Sequence, residues 1–163
     1  MYKRQGSAFA KRLSGFECRV LAYDKYKTEQ SEFAKMVEME IIFKEADIVS
    51  FHLPLTPETH FLVRDEYLAR FSKDIFIINT SRGKVVKTTG LISALKSGKV
   101  RGAVLDVFEN EHLDTFSEAD KSWFKELTTI PQVILTPHVA GWTHESKQRI
   151  AEVLVEKLTQ HGF

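Results

Sequence analysis

The sequence predicts an α/β fold, a doubly wound parallel sheet with crossover helices, and three observations predict it. Short apolar runs alternate with helix-patterned segments along the whole chain. Near the start, a glycine opens a small-residue helix that leads into an apolar run ending on an acid. Further on, three successive apolar runs each lead into a short loop bearing a cation, carboxylates or an imidazole.

In chain order, Gly6 opens the helix GSAFAKRL, and CRVLAY (18–23) then runs into Asp24. In the Rossmann fingerprint G-x-G-x-x-G, an acidic residue follows about 20 positions on. Gly6 fits the third glycine, with Asp24 18 positions later. The positions of the first two glycines hold Met1 and Lys3, and no strand precedes them. In the sheet order 3-2-1-4-5-6 the first strand is central. The expectation is therefore a Rossmann-type sheet lacking its first central strand, with two unpaired edges. MYKRQ fits neither strand nor glycine turn, so Met1 to Gln5 are expected to be foreign to a longer parent sequence.

The stretch KYKTEQSEFAKMVEMEIIFKE mixes both charge signs and reads as a solvated face, with VEMEIIFKEA forming a helix to Ala46. DIVSFH (47–52) is the next strand, followed by LPLTPETHFLV (53–63), which carries two of the four prolines. A helix over 64–71 leads to the strand DIFIIN (74–79). TTGLISALKSG is a helix ending on Gly98, a C-cap residue, and GAVLDV (102–107) follows. The aromatic, charged segment 108–131 is expected to hold only short helices. QVILT (132–136) is the last strand. The final helix, THESKQRIAEVLVEKL, starts with Thr143, followed by the acidic Glu145. Its apolar positions Ile150, Ala151, Leu154, Val155 and Leu158 recur at helical spacing, which predicts packing on the sheet.

The 163 residues suit one domain, 1–163, and no linker or repeat divides them. A net charge of +1 gives no electrostatic case for nucleic acid or membrane binding. The single cysteine, Cys18, excludes an internal disulfide framework and a Cys-based zinc cluster, and no metal site is expected. At the head of an apolar strand, Cys18 reads as a small core residue. No apolar run approaches the ~20 residues of a membrane span, and no secretory signal follows the basic N-terminus. A cytoplasmic location is the default.

The polar residues after the strands carry the chemistry. Arg82 follows DIFIIN, Asp106 ends GAVLDV with Glu109 and Glu111 beyond it, and His138 follows QVILT. Ligands bind at the carboxyl ends of the strands in open parallel sheets, so these three loops define one candidate site. Taken singly, Arg82 reads as a loop residue bound to a neighbouring carboxylate, and His138 as an ordinary loop histidine. His60, His112, His144 and His161 show no ligand-like grouping and read as surface residues.

NTSRG, LDVFENE, LTPHVAGWT and DIVSFHLPLTPETHFLV together resemble the NAD-binding domain of the D-isomer-specific 2-hydroxyacid dehydrogenases, a group including D-3-phosphoglycerate, D-lactate, glycerate and formate dehydrogenases. The resemblance spans essentially the whole chain and implies NAD as cofactor and a 2-hydroxy or 2-keto acid as substrate of the intact protein. It implies that Arg82 holds the substrate carboxylate, that His138 is the general acid/base, and that Glu111 pairs with His138 and raises its pKa. Asp106 would contact the nicotinamide amide. Asp24 would take the ribose hydroxyls, with Lys25 and Lys27 beside it weakening the exclusion of NADP. Gly6, His52, Pro54, Thr80 and Gly141 would complete the cofactor cleft. A homodimer is also implied, and GWTHES leans toward 3-phosphoglycerate as substrate.

Departures from the family pattern are His112 after Glu111, Lys87 where an acid is common before a helix (with Thr88 or Thr89 as alternative caps), and Trp142 after Gly141. Without a substrate domain or a complete glycine loop, the chain alone is expected to turn over little or not at all. The competing readings are a non-catalytic NAD-sensing or interaction module and a dimerisation module.

Overall fold

The computed structural model describes residues 4–26 and 31–161. Its elements run α1 (Arg4–Leu13), β1 (Leu21–Ala22), β2 (Lys35–Met36), α2 (Met39–Glu45), β3 (Ile48–Phe51), α3 (Asp65–Leu68), β4 (Ile75–Asn79), α4 (Thr88–Ser97), β5 (Val100–Leu105), α5 (Glu118–Thr129), β6 (Val133–Leu135) and α6 (His144–Gln160). All strand pairings are parallel, in two sheets: β1-β2, and β3-β4-β5-β6. Among the described residues no strand joins β1 to β3. The α/β architecture is thus the expected one, with the sheet divided where the central strand of the Rossmann order would lie.

The four-stranded sheet holds the core. Ile75 and Ile77 of β4, Val100 and Leu105 of β5, Leu91 of α4 and Leu127 of α5 are all buried. Each such side chain contributes about 1.5–3 kcal/mol by leaving water. Phe43, Tyr67 and Phe71 add an edge-to-face aromatic cluster, with ring centroids 4.9–5.8 Å apart. Burial there pushes the Tyr67 phenol up to about 12. As expected, α4 ends at Gly98, whose φ of 82° is the left-handed cap a glycine adopts readily.

Several expectations need correction. Segment 108–131 is not limited to short helices: α5 has 12 residues. A reciprocal capping box starts it. The Ser117 hydroxyl accepts from the Asp120 N–H, while the Asp120 carboxylate accepts from the Ser117 N–H. Trp123 Nε1 donates to Asp120 Oδ1, and Phe116, Trp123 and Phe124 pack as one aromatic group. The mixed-charge stretch after Asp24 is more than a solvated face, because it contains β2 and buries Ala34 as well as Phe43 of α2. CRVLAY contributes only two residues to a strand, and Cys18, lying before them, is exposed rather than a core residue.

The last helix differs most. Thr143 stands at its start as expected and caps it, accepting from the Ser146 N–H at 3.1 Å, and the helix backbone, with the Thr143 hydroxyl, holds Glu145 below the usual carboxylate range. Yet α6 buries no residue: Ile150, Leu154, Val155 and Leu158 are exposed. The apolar period of 3.6 predicted the helix correctly and its packing on the sheet wrongly. On the sheet itself Ile48, Phe76 and Ile134 are likewise exposed.

Candidate active site at the carboxyl edge of the sheet

The pairing register places Phe51, Asn79, Leu105 and Leu135 side by side at the ends of β3 to β6. The loops that follow all leave from this edge, and they carry the residues singled out by sequence.

Beyond β4, the turn is organised by Asn79, a fully buried side chain that sequence reading left without a role. Its Oδ1 accepts from the Ser81 N–H (3.1 Å) and the Ser81 hydroxyl (2.8 Å), and its Nδ2 donates to the Arg82 carbonyl (3.1 Å). A buried amide satisfied on both sides sets the turn. Arg82 is exposed, and its Nη1 donates to the Ser81 carbonyl at 2.6 Å. No carboxylate among the described residues forms an ion pair with it. Gly83 comes next because the loop after β5 lies directly upon it: a Cβ there would sit 1.5 Å from the Phe108 carbonyl oxygen.

That second loop is tied down twice. The Asp106 N–H donates to the Asn79 carbonyl at 3.0 Å. The Glu109 carboxylate accepts from the Thr88 N–H at 2.5 Å and from Lys87 Nζ at 3.3 Å. The cap of α4 is therefore Glu109, supplied from a distant loop, and neither Lys87 nor the threonine hydroxyls. Lys87 balances this carboxylate and also lies over the Phe61 ring at 4.3 Å. After Glu111, the His112 N–H donates to Asn110 Oδ1 at 3.1 Å, a bond that proline would forfeit.

The third loop brings His138 to this same group. Its Nδ1 lies 2.8 Å from Glu111 Oε2, joining the loops after β5 and β6. His138 has a φ of 54°. Left-handed backbone costs a non-glycine residue about 1–3 kcal/mol and persists where surroundings hold it. Here Asp106 does the holding: its Oδ1 accepts from the Thr136 hydroxyl and, at 3.1 Å, from the His138 N–H.

Of the cofactor-side residues, His52 and Pro54 follow β3, Thr80 follows β4 and Gly141 lies in the loop after β6. Gly6, in α1, packs against His52: a Cβ at Gly6 would meet the His52 ring at 3.3 Å, the close approach expected of the third fingerprint glycine. His52 Nδ1 is buried without a hydrogen-bond partner, Nε2 lies 3.0 Å from Ser50 Oγ, and burial holds the imidazole below its ordinary pKa. Thr80 accepts from Gln5 Nε2 at both its carbonyl and its hydroxyl. Gln5 thus belongs to α1 and reaches Thr80 in the loop after β4. Asp24 follows β1 and accepts from the Tyr26 N–H at 2.9 Å. Lys25 is drawn to Glu58 at 2.7 Å, which raises the lysine and lowers the glutamate. Pro54 is exposed and its carbonyl accepts from the Thr59 hydroxyl at 2.6 Å. Gly141 is exposed with open space around it. Trp142 is exposed beside it. His60, His112, His144 and His161 are exposed, as expected. Met1, Lys3 and Lys27 lie outside the described residues. No cluster of three metal-ligating side chains occurs among the described residues.

Parallel strands with an acid after β1 and a close-packed helix glycine are the features of a dinucleotide-binding domain. Residues 3–140 match the family model of the D-isomer specific 2-hydroxyacid dehydrogenase, NAD binding domain, and the chain belongs to that family. The match begins at residue 3, before Gly6. The chain is 40% identical over 158 residues to a glyoxylate reductase of Korarchaeum cryptofilum, covering 95% of this chain and 45% of that protein. It is 38% identical over 143 residues to a D-specific alpha-keto acid dehydrogenase of Enterococcus faecalis, covering 85% and 43%. Its fold superposes on an NAD-complexed D-isomer specific 2-hydroxyacid dehydrogenase from Lactobacillus delbrueckii ssp. bulgaricus (TM-score 0.83, 33% identity, 96% of this chain and 49% of that one). It superposes equally on the Aquifex aeolicus D-lactate dehydrogenase complexed with NAD and lactic acid (TM-score 0.82, 34% identity, 96% and 50%). The chain spans about half the length of the relatives it matches.

The residues present fit NAD. The unpartnered His52 nitrogen lies just beyond β3 with Gly6 packed against the same ring, and the Asp24 carboxylate follows β1, the arrangement a dinucleotide needs.

Proposed function

We propose that this chain is the cofactor-binding half of an oxidoreductase that moves a hydride between NAD and C2 of a D-2-hydroxy acid. The observation that carries the reading is the 2.8 Å pair of His138 Nδ1 and Glu111 Oε2, at the edge from which Arg82 and Asp106 also emerge. Bound NAD supplies the carbon that accepts or returns the hydride. Glu111 occupies Nδ1, so His138 Nε2 takes the hydroxyl proton in oxidation and returns it in reduction. The Arg82 guanidinium, unpaired with any described carboxylate, holds the substrate carboxylate in its planar fork. Asp24 takes the ribose hydroxyls, and Gly6, His52, Pro54, Thr80 and Gly141 flank the cofactor.

Small 2-keto acids are favoured as substrates, since the relatives above are named for glyoxylate, lactate and alpha-keto acids. The lean toward 3-phosphoglycerate finds no support among them. By itself the 163-residue unit, read as one domain, turns over little, because Arg82, Glu111 and His138 are all exposed to water. A homodimer is the favoured assembly, supported by the uncovered apolar faces of α6 and the sheet. Light scattering on the chain tests it. Among the described residues no helix is long and apolar enough to cross a membrane. A cytoplasmic setting suits the lone exposed thiol of Cys18.

The decisive experiment joins this chain to the substrate-side half of the Aquifex relative and follows glyoxylate or pyruvate reduction. His138→Gln is expected to lower kcat roughly 10²–10⁴-fold with NADH binding retained. Binding without any turnover in the parent chimera supports the sensing module instead.

A further inference from the structure

We propose that Asp106 is the positioning residue for His138: by gripping the β6 loop it fixes the left-handed backbone that brings the imidazole onto Glu111. The inference rests on the reading of His138 as acid/base and adds a role for Asp106 distinct from cofactor contact. The carboxylate accepts through Oδ1 from both the Thr136 hydroxyl and the His138 N–H. These partners lie on either side of Pro137, so one oxygen spans the turn. The turn needs such a clamp, because His138 is not glycine yet has a φ of 54°. Relaxation to an ordinary negative φ would swing the ring away from Glu111 Oε2, 2.8 Å from Nδ1.

Asp106 is itself well placed to serve as the fixed point. Its own N–H is bonded to the Asn79 carbonyl, and Thr136 N–H is bonded to the Leu105 carbonyl. The clamp is thus anchored in the ladder between β4, β5 and β6, and the side chain transfers that rigidity to an exposed loop. Charge assistance makes a carboxylate the strongest acceptor for this purpose.

The test is nitrogen NMR of the His138 ring in the chain as it stands. The Nδ1 resonance is first recorded in the parent and in Glu111→Gln, which defines the signature of the pair. Asp106→Ala is expected to shift Nδ1 to the Glu111→Gln position and to speed exchange of the His138 amide roughly tenfold, as loss of a charge-assisted bond implies. Asp106→Asn keeps an acceptor oxygen and is expected to retain the paired signature. Retention of that signature in Asp106→Ala, or its loss in Asp106→Asn, overturns the proposal. Should Asp106→Ala fail to fold, Asp106→Glu displaces the acceptor with little change in polarity. It is expected to lose the signature, and retention again overturns the clamp. Failure of the enzymatic reading would show separately, as a His138→Gln chimera that keeps its activity.

Discussion

The loops beyond β4, β5 and β6 and the long helix α6 both present exposed residues, yet they are held in opposite ways. The loops are anchored from beneath: buried Asn79 organises one turn, Glu109 ties the second to α4, and Asp106 grips the third. α6 begins at the Thr143 cap and buries none of its described side chains. Exposure alone therefore says little about order. An exposed residue is placed accurately when a buried polar group or a strand ladder fixes its backbone, and Arg82, Glu111 and His138 meet that condition.

The comparison breaks most decisively in the core beneath the loops. Leu127 is fully buried, touching the group that includes Trp123 and the β5-β6 ladder. Leu127→Ala is expected to cost about 2–5 kcal/mol, since it removes transfer energy and leaves a cavity. Urea titration of the parent and variant measures it. A cost below about 1 kcal/mol would mean that α5 is no firmer than α6.

Glu109 gives the next effect. Glu109→Ala removes the acceptor for the Thr88 N–H and leaves Lys87 without its carboxylate. The expected cost is about 1–2 kcal/mol, with faster amide exchange confined to the first turn of α4 and the loop carrying Glu111. An effect spread evenly over the chain would show that Glu109 supports the fold generally and not that junction.

How far the sequence could reveal these anchors follows from their range. Strand existence was legible for β3 to β6, because apolar runs bounded by turn residues mark buried parallel strands. Arg82, Asp106, Glu111 and His138 were legible as a group through their common position after those strands. Asn79 was not, since an asparagine at a strand end is usually a plain turn residue; the signal was its place two residues before Ser81 and three before Arg82. The Glu109 cap was also hidden, being 21 residues from Thr88 in sequence. α6 shows the opposite error. Its apolar stripe states which face is sticky, while nothing local states what covers it.

His52 offers a smaller, pH-dependent contrast between the two halves of the edge. Burial holds its imidazole below the ordinary histidine value of 6.5. The unfolded chain therefore binds this proton at a higher pH than the folded chain does. Stability from this group is complete above 6.5 and declines as pH falls through 6.5 toward the lower folded value. Melting temperature is expected to fall over that range. His52→Gln should remove this component. An unchanged pH slope in the variant would place the dependence elsewhere.

The smallest expected effect lies on α6. Leu154 is 60% exposed, and Ile150, Val155 and Leu158 share that condition. Leu154→Ser removes a large apolar side chain, yet little of its surface changes environment on folding. The expected change in monomer stability is within about 0.5 kcal/mol, far from the Leu127 value although both residues are helical leucines. The contrast sharpens with protein concentration. If two copies bury this face against each other, melting temperature rises with concentration in the parent chain and does so less in Leu154→Ser, because mass action stabilises only the form that associates. A concentration-independent parent would leave the stripe without a role in self-association and refute the homodimer through this face.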